Sequence, residues 1–122
     1  MLTGFEKETA PLTDYELTTL LPIIIEDLEG RIGPGAAVKN ATLCGRLRRE
    51  GYDITESRFR KLIAHIRVSG KVPCLIATSR GYYRSLDVDE LQTYIDSLEG
   101  RENAIRQVRL ALERQKEDNI LL

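Results

Sequence analysis

Leu17, Leu20, Leu21, Ile24, Ile25 and Leu28 recur at three- and four-residue intervals, the spacing of one apolar helical face. Thr13 stands before this run with Glu16 three positions on, a capping box, and Leu12 with Leu17 supplies the matching hydrophobic staple. Pro22 lies inside the run. It has no N–H to offer the Thr18 carbonyl, and its ring predicts a kink. Gly30 to Gly35 ends the helix as a loop rich in glycine, and Ala37-Val38 is short enough to be a single-bridge strand.

Asn40 is read as the N-cap of a second helix over 41–50, with Leu43, Cys44 and Leu47 on its apolar side and Gly51 as the left-handed residue past its end. Three residues later Thr55 caps a third helix over 56–69, which stops at Gly70. Two β-prone runs follow, with Pro73, Cys74 and Leu75 in the first, and they flank a turn at Ser79-Arg80-Gly81. This predicts a hairpin over 72–84. Tyr82 and Tyr83 must point to opposite sides of its second strand, and the expectation is that Tyr83 packs while Tyr82 is exposed. Asp87 and Glu90 make a second capping box, with Leu86 and Leu91 as its staple, opening a helix from 88 to about 116.

The chain has 122 residues, and an apolar share of 42% is enough for one domain core plus an appended helix. The expected division is a loose leader over 1–11, a domain over 12–86 and the C-terminal helix over 87–122. No apolar run is long enough for a membrane span, and the first residues have neither the basic start nor the apolar centre of a signal peptide. Cys44 and Cys74 are too few and too far apart for a disulfide framework or zinc motif, and a reducing, cytoplasmic setting is expected.

Net charge changes the picture once it is divided along the chain. From Lys39 to Arg84 there are eleven basic residues against Glu50, Asp53 and Glu56, a net of +8, while the rest of the chain carries −9. A basic island between acidic flanks points to a polyanionic partner. On the third helix, at about 100° per residue, Phe59, Leu62, Ile63 and Ile66 fall in one arc and face the core. Ser57, Lys61, Ala64 and Val68 fall on the opposite side, with Arg58 and His65 on one edge and Arg60 on the other.

Two helices joined by a short turn with glycine, then a hairpin, make an order that resembles the winged helix-turn-helix superfamily of DNA-binding proteins. The residues that carry the resemblance are N40-ATLCGRLRREGYDI-TESRFRKLIAHIRVSG and then PCLIATSRGYYR, within about seventy residues from Thr13 to Arg84. The layout also resembles small phage or prophage winged-helix proteins. The fold class expected is mainly α with a small β-hairpin: a winged helix-turn-helix plus a long C-terminal helix.

The resemblance implies double-stranded DNA as partner, with the helix over 55–69 in the major groove and the wing over 72–84 on the backbone. Candidate groove residues are Ser57, Arg58, Arg60, Lys61 and His65. Candidate phosphate contacts are one or two of Arg46, Arg48 and Arg49, together with Arg80 and Arg84, with Lys39 weaker. A solvated basic face is the other reading of the same residues, and for Arg80 an ordinary turn residue. The role expected is transcriptional regulation or an accessory task in replication or packaging, and the alternative is an adaptor that binds protein through the same fold.

His65 is the only histidine and has no Cys, Asp or Glu at ligand spacing, so no metal site is expected. Phosphate loops and paired catalytic carboxylates are missing too, and neither an enzyme nor a cofactor is expected. The last helix carries Val88, Leu91, Tyr94, Ile95 and Leu98, then Ile105, Val108, Ala111 and Leu112, with Gly100-Arg101-Glu102-Asn103 between. Two readings stand. A continuous helix would outrun the domain and pair with a second copy as a homodimer, or it would break at Gly100 and fold back.

Overall fold

A computed structural model describes residues 9–119, and the expected leader therefore lies mostly outside the described residues. The chain falls into two compact units, one ending at Leu86 and the other beginning at Asp87. It is mainly helical, with one two-stranded antiparallel hairpin and a long C-terminal helix.

The capping box at the start is formed in both directions. Thr13 N–H donates to Glu16 Oε1 at 2.8 Å, and Glu16 N–H donates to Thr13 Oγ1 at 3.1 Å. Pro22 is then met by widening of the turn ahead of it. Glu16–Leu20 is a π-helical turn, closed by Leu21 N–H reaching back five residues to the Glu16 carbonyl. The turn ends just ahead of the proline, whose ring would otherwise press on the Thr18 carbonyl. Helix α1, Leu21–Glu29, continues from there, and Leu20, Leu21, Ile24 and Leu28 are buried.

A one-turn 3₁₀ segment, Pro34–Ala36, leads to α2, Asn40–Arg49. Asn40 is its first helical residue, not its cap. The N-cap position belongs to Lys39, without a side-chain bond, and Asn40 Oδ1 instead accepts from the Tyr82 hydroxyl at 3.0 Å. Helix α3, Glu56–Ser69, begins at Thr55, whose hydroxyl accepts from Arg58 N–H, and ends at Gly70 in the left-handed region. Leu43, Cys44 and Leu47 of α2 share the core with Phe59, Leu62, Ile63 and Ile66 of α3. At roughly 25 cal/mol per Å² of buried apolar area, this shared core is what holds the helices together.

Strands β1, Leu75–Thr78, and β2, Gly81–Arg84, pair antiparallel with Leu75 opposite Arg84 and Thr78 opposite Gly81, leaving Ser79-Arg80 as the tip. β2 also bridges Val38 and Ile32 on its other edge, so the single-bridge strand expected at Val38 is present. Tyr83 is buried. Tyr82 is half-buried against the core, not exposed, because its hydroxyl is drawn onto Asn40. Cys74 is not in a strand. It is exposed, in a turn with φ of 61°, and its carbonyl accepts from Ser85 N–H, which closes the neck of the hairpin.

Asp87 Oδ1 accepts from Asp89 and Glu90 N–H, capping α4, Val88–Asn119. The helix is unbroken through Gly100. Its 32 residues span about 48 Å at 1.5 Å per residue, and none of them is buried.

Candidate nucleic-acid interface

The basic stretch separates into cations that are tied into the fold and cations that are not. Arg58 is the most firmly held. Its Nε and Nη2 donate to the two oxygens of Glu16, at 2.9 and 2.6 Å, while Nη1 reaches the Ala10 carbonyl and Nη2 the Pro11 carbonyl. Glu16 is buried in the first turn. The hydrogen bond from Arg58 holds its carboxyl below the usual range against the opposing effect of burial, with the Thr13 bonds adding to the shift. The same bond holds Arg58 more firmly protonated. Arg58 was expected to read bases. It is withdrawn from that role because all its nitrogens are committed inside the domain.

Lys61 sits one turn further along α3, and its Nζ donates to the carbonyls of Thr9 and Ala10, at 2.7 and 2.5 Å. Residues Thr9 to Pro11 therefore lie across the Arg58 side of α3. Lys61 keeps one of three protons, and a shallow hollow continues beyond it along Ala64, His65 and Val68, walled by Leu12 and Leu17. His65 and Ser57 are half-buried, whereas Ala64 and Val68 are exposed.

Arg46 is also turned inward. Its Nη1 lies 2.9 Å from Asp27 Oδ1, and its Nε is 3.5 Å from Glu50, too poorly aligned for a hydrogen bond. Asp27 holds Arg31 as well, at 2.7 Å. Burial pushes the Asp27 carboxyl up, but the bonds from Arg31 and Arg46 outweigh it and leave it below its ordinary value. Arg48 donates through Nε to the Ile54 carbonyl. Arg84 donates to the carbonyls of Pro73 and Glu29. These carbonyl-bound cations keep their charge but lose freedom of reach.

Five side chains of the stretch are exposed and make no hydrogen bond or ion pair among the described residues: Lys39, Arg49, Arg60, Lys71 and Arg80. Arg60 is on the edge of α3 away from Thr9 to Pro11. Arg80 stands at the hairpin tip, where its N–H is fixed by Thr78 Oγ1 at 3.2 Å. Lys39 lines a hollow at the start of α2 together with Thr78, Ser79 and Tyr82 of the hairpin, so the tip and the helix start form one concave edge. Sequence reasoning gave Lys71 no role of its own, and it offered Arg49 only as one of three arginines on α2, of which one or two were expected to meet phosphate. Their signal was exposure alone, which no periodicity carries at a helix end or in a turn.

Cys44 is fully buried, and burial pushes its thiol up. Among the described residues no group of His, Cys, Asp and Glu is placed to hold a metal ion, and no helix is long and apolar enough to cross a membrane. Comparison with known protein families, with characterised proteins and with solved structures finds no match. The fold defines a small helical domain with a hairpin and five exposed cations that have no partner among the described residues.

Proposed function

We propose that this protein binds double-stranded DNA in the manner of a winged helix, without catalysis, and that it acts as a dimer joined through α4. The observation that carries the reading is the set of five exposed cations with no partner among the described residues, at the start and end of α2, on α3, in the turn after α3 and at the hairpin tip. A fold that pairs Arg46 and Arg58 with its own acids and leaves these five in water keeps them for an external anion. Arg60 and the exposed Ala64 present the open part of α3 to a groove, and Arg80 with Lys39 meets phosphates. A regulatory or accessory role in DNA transactions follows from such binding.

The test is retention on random duplex DNA over a range of salt. Five phosphate contacts give a slope of log K against log salt of about −4.5. An adaptor that binds protein is the second reading, favoured by Val68, 91% exposed, and Leu17, 38% exposed, beside the same helix. A flat salt dependence, or no retention at low salt, would replace the DNA reading with the adaptor.

A further inference from the structure

Leu91, Leu98, Ile105 and Leu112 on α4 are spaced every seven residues, and Tyr94 and Val108 follow two of them at the three-residue step of a coiled-coil seam. The repeat passes Gly100 without a change of phase. In the second half the strip is open, with Ile105 69%, Val108 60% and Leu112 58% exposed. Ala104 lies beside it, and Arg109, Glu113 and Lys116 form its rim.

We infer that this strip packs against the same strip of a second copy, and that the two helices run antiparallel. This rests on the dimer part of the function proposed above and adds its orientation. In a parallel pair Arg101 would face Arg101 of the second copy within the seam, and the rim positions Ala104 and Ala111 would face Arg109 and Lys116 without any acid. An antiparallel pair centred between Arg106 and Gln107 sets Ile105 against Val108 of the second copy, twice. It also brings Glu102 beside the second copy's Arg109, twice, and Ala104 beside its Ala111, where small side chains allow close approach. Charge and size are both complementary in this register, and Arg101 meets Leu112 of the second copy instead of a second Arg101. Arg109 already bonds Glu113 one turn on at 3.0 Å, which holds it at the rim.

The test uses the full chain without DNA. Sedimentation of the wild type should give a dimer at tens of micromolar, typical of a short two-helix seam. E102R alone and R109E alone should each raise the dimer dissociation constant by about tenfold, through two lost pairs and two like-charge contacts. Mixing these two variants in equal amounts should restore the dimer, because each then meets the opposite charge, and circular dichroism should show unchanged helix content throughout. A spin label at position 96, introduced by D96C in a C74S background, should report a pair distance of about 30 Å, set by twenty-one residues of helix rise. A monomeric wild type overturns the inference. Single variants that dimerise as well as wild type, or labels no farther apart than the width of two adjacent helices (about 20–24 Å), overturn the antiparallel register. None of these outcomes bears on DNA retention, which is measured separately.

Discussion

Arg58 and Glu16 stand 42 residues apart in the chain and form a two-pronged ion pair, 2.6 Å at its shorter contact, with both side chains largely out of water. Glu16 is also the capping residue of its own turn, since Oε1 accepts from Thr13 N–H as well. One carboxylate thus caps the start of a helix and fastens it to α3. Removing one partner of such a pair leaves a buried charge, so Arg58→Ala should destabilise the domain by about 3 kcal/mol. Glu16→Gln keeps one acceptor oxygen but turns an amide donor toward Arg58 or Thr13 and removes the opposing charge, so it should cost about 2–3 kcal/mol. Urea unfolding followed by circular dichroism checks both, and a loss below half a kcal/mol for Arg58→Ala would mean that the pair contributes little.

The same contacts set the response to acid. Glu16 and Asp27 both have folded-state pKa values below their ordinary ones. Between the two values the unfolded chain binds more protons than the folded one, so this stabilisation is present above about pH 5 and is lost as pH falls through the folded values. Unfolding free energy should therefore decline below the ordinary carboxylate range, near pH 4, and the decline should be shallower in Glu16→Gln. Equal pH dependence in the two proteins would assign the acid response elsewhere.

Most of the fold was legible because its signals are local. Thr13 with Glu16, Thr55 before α3, Gly51, Gly70 and the apolar arcs of three helices each act within one or two turns. What was not legible depends on partners distant in sequence. Asn40 looked like a cap because its neighbours allow one, yet Tyr82, 42 residues away, claims its oxygen. The +8 of the basic island leaves out the acids that fold against it. Glu16 and Asp27 lie outside the stretch, and each removes an arginine from the candidate site. A trace of this was present in the sequence. Glu16, Leu20 and Ile24 are spaced by four, so the carboxylate sits on the apolar stripe, where a charge requires a partner.

Gly81 has a φ of 120°, and a Cβ there would run into the Val38 carbonyl and stand 2.8 Å from Lys39 N. The Val38 carbonyl is the acceptor that bridges β2, taking Tyr82 N–H at 2.8 Å. Gly81→Ala should cost about 2–3 kcal/mol and loosen the hairpin edge, since both conformation and space are denied. Amide exchange at Tyr82 is the local readout. Protection equal to wild type there would show that the bridge shifts without loss.

The division of cations makes a sharp contrast on DNA. Arg60→Ala and Arg80→Ala should each reduce the magnitude of the salt slope by about 1. Arg84→Ala and Arg48→Ala, whose heads are held by carbonyls, should change it by less than half as much. If all four behave alike, bulk charge and not placement governs binding.

The last prediction concerns residues 9–11. Their carbonyls occupy Lys61 and part of Arg58 on the side of α3 that would otherwise present both to a groove. Starting the chain at Pro11 removes the bonds from Lys61 to Thr9 and Ala10 and the bond from Arg58 Nη1 to Ala10, and leaves the Arg58–Glu16 pair and the capping box in place. At about 1 kcal/mol per lost bond, the domain should lose roughly 3 kcal/mol and remain folded. Lys61 then gains two free protons on the outward face beside Ala64. DNA affinity at low salt should rise several-fold and the slope should steepen by about 1, the signature of one added phosphate contact. The gain should vanish when Lys61→Ala is added to the shortened chain. A shortened chain that binds DNA no better than the full one, while still folded by circular dichroism, would show that α3 approaches DNA from its Arg60 edge alone.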